Sequence, residues 1–124
     1  MMIYERWNPI EGLEGYFYLE NLQDDLSHLD IILEQEKTKR LLGVRFFVAL
    51  SYMNTQAGEF IRSAGYGSYK GVFLTIKNSP YLNWFLDESC RGPEERNVVH
   101  YSIRTQHHII DVLSAHEVAV KWHN

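Results

Sequence analysis

Side chains able to do chemistry are unevenly spread along this chain of 124 residues. Five of its six histidines, His100, His107, His108, His116 and His123, fall in the last quarter, close to Asp111. A zinc site needs three or four donors converging at about 2.0–2.3 Å, usually from short paired spacings. His107 and Asp111 are four apart, but the Ile-Ile-Asp-Val-Leu run has the composition of a strand. Strand rise places such positions on one face about 13 Å from each other. No metal and no other cofactor is expected, and His100 is expected to be hydrogen-bonded inside a sheet. The single Cys90 lies between Glu88 and Arg91 in a segment expected to be a loop or helix end. A reactive thiolate needs an electropositive setting and a nearby base; the acids Asp87 and Glu88 oppose the first. No Gly-x-Ser-x-Gly elbow presents a serine. Gly65-Tyr66-Gly67 lacks the third glycine and the strand–loop–helix context of a phosphate cradle. The chain is therefore expected not to be an enzyme.

A stronger signal is electrostatic. Residues 1–36 hold nine acidic side chains against one basic, Arg6, while residues 37–124 hold 11 basic against 7 acidic. The net charge of −4 hides this split. Charge clustered in one stretch shapes a field that selects partners. The candidate partner-binding residues are Glu11, Glu14, Tyr16, Tyr18, Glu20, Asp24, Asp25, Asp30 and Glu34. Tyr16 and Tyr18 join the carboxylates because outward tyrosines commonly anchor interfaces. Lys37, Lys39 and Arg40 follow directly and are the one basic cluster.

A pI near 5.8 and scattered cations argue against nucleic acid as a direct partner, since duplex binders present a basic stripe to phosphate. One cysteine excludes an internal disulfide and points to a reducing compartment. The start MMIYERWNP lacks the basic and apolar regions of a signal peptide, and no apolar run approaches the roughly 18 residues of a membrane helix. A cytoplasmic protein with no membrane partner is expected. The length suits one domain, residues 1–124, with no repeat or Pro/Ser-rich linker to divide it.

Period-two alternation marks the elements that must position these groups. Leu42 to Tyr52 alternates Leu42, Val44, Phe46, Val48, Leu50 and Tyr52 on one face and predicts one long strand. Leu29 to Glu34 predicts a second, joined to it through the polar turn Gln35–Arg40. Further strands are predicted over 15–21, 69–77, 98–105, 108–113 and 118–122. In the first of these, Phe17 and Leu19 point inward while Tyr16, Tyr18 and Glu20 point out. Ser79 as cap and Pro80 at the first helical position announce a short helix, with Tyr81, Leu82, Phe85 and Leu86 on one face. A weaker helix is predicted over 55–62. The fold class expected is α+β: a single two-layer domain, mainly antiparallel sheet, with one or two short helices covering its apolar face.

Several blocks resemble those of small bacterial proteins associated with polymorphic toxin systems: Trp7-Asn8-Pro9, Gly15-Tyr16-Phe17-Tyr18-Leu19-Glu20, and Asn78 to Phe85. His100-Tyr101-Ser102-Ile103 and Ile110 to Ser114 complete the set. The resemblance implies an immunity protein that blocks a cognate bacterial toxin, with no enzymatic activity. It carries no contact residues across. The acidic segment suits a toxin with a basic surface, such as a nuclease that must present cations to phosphate. The alternative is a small-molecule-binding or enzymatic α+β domain with a pocket lined by Tyr66, Tyr69, Trp84 and Tyr101. A homo-oligomeric subunit joined through an aromatic sheet edge is a third possibility.

Overall fold

The computed structural model of the chain describes residues 1–56, 72–89 and 97–123. Nine strands and one helix lie among them: β1 (Ile3–Arg6), β2 (Phe17–Asp24), β3 (Leu29–Gln35), β4 (Leu41–Phe46), β5 (Ser51–Gln56), β6 (Phe73–Lys77), α1 (Pro80–Glu88), β7 (Val99–Arg104), β8 (His108–Ser114) and β9 (Val118–His123). Every pairing is antiparallel. Two sheets result, a five-stranded one in the order β1-β6-β7-β8-β5 and a four-stranded one in the order β2-β3-β4-β9.

The sheets pack face to face. From the four-stranded sheet, Phe17, Leu29, Ile31, Leu33, Leu42, Val44 and Phe46 form one buried cluster with Phe73, Ile103, Ile110 and Val112 of the other. Each set recurs at every second position, which is how a strand buries one face. Aromatic rings close one part of this core: Trp7 packs against Phe46, Phe73 and Tyr101, and Phe17 meets Phe73 edge-on at 5.3 Å.

The expectation of an antiparallel, sheet-rich fold holds, but its layering changes. The apolar face of the four-stranded sheet is covered by a second sheet, not by helices. Helix α1 instead lies on the other face of the five-stranded sheet, where Phe85 packs with Val98 and Leu113. Its start is as expected: the Ser79 hydroxyl accepts from the Leu82 N–H at 3.0 Å, and Pro80 opens the helix.

The predicted strand over 42–52 is two strands in different sheets. Leu42, Val44 and Phe46 face the core from β4, Phe47 and Val48 are exposed, and Tyr52 re-enters the core from β5. The alternation persists across the break because apolar residues happen to continue it. Thr55 and Gln56 belong to β5, so the weak helix does not begin there; its remaining residues lie outside those described. Strand β1 was not foreseen, being only four residues long with a single half-buried side chain.

Candidate partner-binding surface

All nine candidate residues lie on the β2–β3 hairpin or the loop leading into it. Strand β2 is an edge strand. Pairing of Tyr18 with Glu34 and of Glu34 with Leu41 puts these side chains on the sheet's outer face, away from the core. The inner face takes Phe17, Leu33 and Gln35, as the alternation requires. Tyr16 is 63% exposed. The orientation expected from the sequence, Phe17 and Leu19 inward and Tyr18 outward, is what the register produces.

Three groups succeed one another along this hairpin. At one end, Glu11, Glu14 and Tyr16 border a cleft of about 1390 Å³ together with Arg6, Arg40 and Trp122. Its loop is tied down: the buried Gln35 amide donates to the Gly12 and Glu14 carbonyls, and the Trp122 indole N–H donates to the Glu11 carbonyl. In the middle, the Tyr18 hydroxyl donates to Glu36 Oε2 at 2.7 Å. That bond to Glu36, then desolvation and the negative charges of Glu36 and Glu34, raise the Tyr18 phenol above its ordinary range. Glu20 is exposed where a bulge interrupts the β2–β3 register. At the far end, Asp24 Oδ1 accepts from Leu26 N, and Asp25 Oδ1 accepts from the N–H groups of Ser27 and His28. Those backbone bonds, from His28 first and then Ser27, hold the Asp25 carboxyl below its ordinary range. The ends of β2 are roughly 23 Å apart by the strand rise, so the acids are strung out as a ridge rather than a compact patch. The ridge does not keep to one face, because Asp24 pairs with the inward Leu29 and accepts from the Tyr52 hydroxyl at 3.2 Å, while Glu11 sits beside Trp122 of β9.

Neutralisation along the ridge is partial. Asp30 is taken up by Arg45, which donates to both carboxylate oxygens at 2.7 and 3.1 Å. Asp25 faces His28 at 3.4 Å. Among the described residues, no Lys or Arg lies within ion-pair distance of Glu11, Glu14, Glu20 or Glu34. The neighbouring Arg40 instead stacks its guanidinium over Trp122, 4.3 Å from the ring centre.

A second constellation went unforeseen. His100 is buried, with Nδ1 2.7 Å from the Ser79 hydroxyl and Nε2 2.7 Å from Asp111 Oδ1. Serine, histidine and acid invite comparison with a hydrolytic triad, but the ring is the wrong way round. There the nitrogen nearer the serine is Nε2 and the acid holds Nδ1. Ser79 is also 1% exposed and already caps α1, so substrate has no path to its oxygen. The arrangement fastens the start of α1 to β7 and β8. Tyr81 adds to it, setting its ring edge-on to His100 and its hydroxyl against that of Ser51. Ser79 was legible as a cap and His100 as a buried, bonded histidine; their meeting depends on strand register.

The alternative aromatic pocket does not assemble from its described members. Tyr101 packs between the sheets against Trp7 and Phe46, whereas Trp84 is 54% exposed on α1, on the other side of the five-stranded sheet. Tyr66, Tyr69, the Gly65-Tyr66-Gly67 turn and Cys90 lie outside the described residues. Among the described residues, no group of three or more His, Cys, Asp or Glu side chains converges to hold a metal, and no helix is long and apolar enough to cross a membrane. Compared with family models, curated proteins and solved structures, the chain matches none.

Proposed function

We propose that this chain is an immunity-type inhibitor: it binds a cognate bacterial toxin and neutralises it without catalysis, laying its acidic β2–β3 ridge over a basic working surface. The observation that carries this reading is that Glu11 and Glu14 of the leading loop and Glu20 and Glu34 of the edge hairpin have no Lys or Arg at ion-pair distance among the described residues, on a sheet whose inner face packs into the core. A toxin that handles nucleic acid must hold phosphate with Lys and Arg, and the ridge mimics that charge. Close interfacial charge pairs show couplings of roughly 1.5–7 kcal/mol, and steering raises association toward about 10⁸–10⁹ M⁻¹s⁻¹ at low salt. Tyr16, exposed at the start of the hairpin, supplies an aromatic contact beside the acids.

The test is binding to the purified product of the adjacent gene, together with rescue of cells that express it. Nanomolar or tighter affinity that weakens with salt, accompanied by restored growth, is the expected result. Absence of binding at micromolar concentration would overturn the proposal.

A further inference from the structure

The far end of the acidic ridge carries a feature that stability alone disfavours. Leu26, at the tip of the β2–β3 hairpin, has φ +74° and is 94% exposed. A left-handed backbone is costly for a residue with a Cβ, and Gly, Asn or Asp is the usual occupant. Two other non-glycine residues among those described share positive φ, Lys39 and Asn78, and both are polar. Leu26 therefore puts a hydrated apolar side chain on a left-handed backbone where a glycine, asparagine or aspartate would serve the turn. The Leu26 side chain takes no part in the bonds that hold the turn: Asp24 accepts from the Leu26 N–H at 2.8 Å, and Asp25 accepts from the next two N–H groups.

Leu26 is not isolated. With Val48, itself 40% exposed, it borders a shallow dimple of about 90 Å³ that also includes His28 and Ala49. Phe47, 37% exposed, sets its ring edge-on to His28 at 5.8 Å. An apolar knob at the end of one hairpin thus adjoins the exposed link between the two sheets. Its rim is anionic: Asp24 and Asp25 directly precede Leu26, and Arg45 of the neighbouring strand β4 is bound to Asp30.

We infer that the hairpin tip is an anchor, inserting Leu26, with Val48 and Phe47 beside it, into an apolar socket rimmed by Lys or Arg on a protein partner. The inference rests on the proposed inhibitor role and assigns that partner a second recognition element beyond a basic surface. Charge complementarity selects this occupant: the aspartates repel an anionic lipid surface and the like-charged tip of a second copy. Burying an apolar knob in a fitted pocket acts chiefly on dissociation, whereas the exposed acids of the ridge act on approach.

Leu26→Gly separates the roles, because glycine relieves the strain and removes the anchor together. Relative to wild type, the variant is expected to melt roughly 2–6 °C higher. It is also expected to leave the adjacent gene's product at least about tenfold faster, with an on-rate within about twofold. Val48→Ser should raise the off-rate in the same direction. If wild type binds and both variants dissociate at the wild-type rate, the anchor is wrong while the inhibitor role stands. If wild type does not bind, the inhibitor role fails and the anchor with it. Self-association at micromolar concentration that Leu26→Gly abolishes, or binding of wild type to phosphatidylcholine vesicles, would assign the tip to another occupant and overturn the inference.

Discussion

His100 occupies a position where each neighbour depends on its ring. The Ser79 oxygen accepts from the Leu82 N–H and lies 2.7 Å from His100 Nδ1, while Nε2 lies 2.7 Å from Asp111 Oδ1. Ser79→Ala removes the cap and one ring partner, and urea unfolding should show a loss of about 1–2 kcal/mol. His100→Leu strands a largely buried carboxylate and should cost about 3 kcal/mol or more. A loss for His100→Leu below about 1 kcal/mol would mean that the Asp111 contact contributes little. Asp25 makes a pH prediction. Its carboxyl is held low by backbone N–H groups. A lowered folded-state pKa gives stability that is present above the unfolded value and is lost as pH falls through the folded one. Acidification below about pH 4 should therefore weaken the hairpin turn. Asp25→Asn should flatten that acid limb in a melting series, and an unchanged limb would remove Asp25 as its source. At this scale the sequence was informative where bonds are local. Ser79 lies three residues from its cap target, whereas Ser79 and Asp111 approach His100 from 21 and 11 positions away.

Among the elements, the β2–β3 hairpin matters most, because it holds Tyr18, Glu20, Glu34 and Leu26 and anchors the loop that carries Glu11, Glu14 and Tyr16. Its register depends on Phe17, Leu33 and Ile31 filling the inner face, which turns the half-buried Tyr18 and Glu34 outward together. Gln35 links the hairpin to the loop before it. Truncation by Gln35→Ala frees the carbonyls of Gly12 and Glu14 and should cost about 1–3 kcal/mol. Gly12 also sits at φ +89° with the Trp122 ring 3.4 Å from where a Cβ would lie, so Gly12→Ala should destabilise the same loop. Hydrogen exchange in residues 10–16 would report both; unchanged protection would show that this latch is not what orders the loop. Strand positions were largely readable from period-two alternation, but membership of a sheet was not. Alternation states that one face is buried without naming what buries it. The run from Leu42 to Tyr52 accordingly looked continuous although the chain changes sheets between Phe46 and Ser51. The helices expected to cover the apolar face were replaced by a second sheet for the same reason.

At the scale of the whole molecule, the imbalance of nine acids to one base in the first 36 residues was plain in the sequence, and the fold determines where it goes. Antiparallel pairing of β2 with β3 folds the acidic stretch back on itself along one edge of the sandwich. Arg45 cancels Asp30, a cross-strand pairing that the sequence did not reveal. What remains is an anionic ridge with an apolar tip, a combination suited to fast approach followed by slow release. The most direct test of the central claim is the association rate with the adjacent gene's product for wild type and for the triple variant Glu14→Lys, Glu20→Lys, Glu34→Lys, at low and high salt. The ridge predicts at least about a tenfold slower on-rate for the variant at low salt, converging with wild type as salt screens the charges. Equal rates at low salt would contradict it.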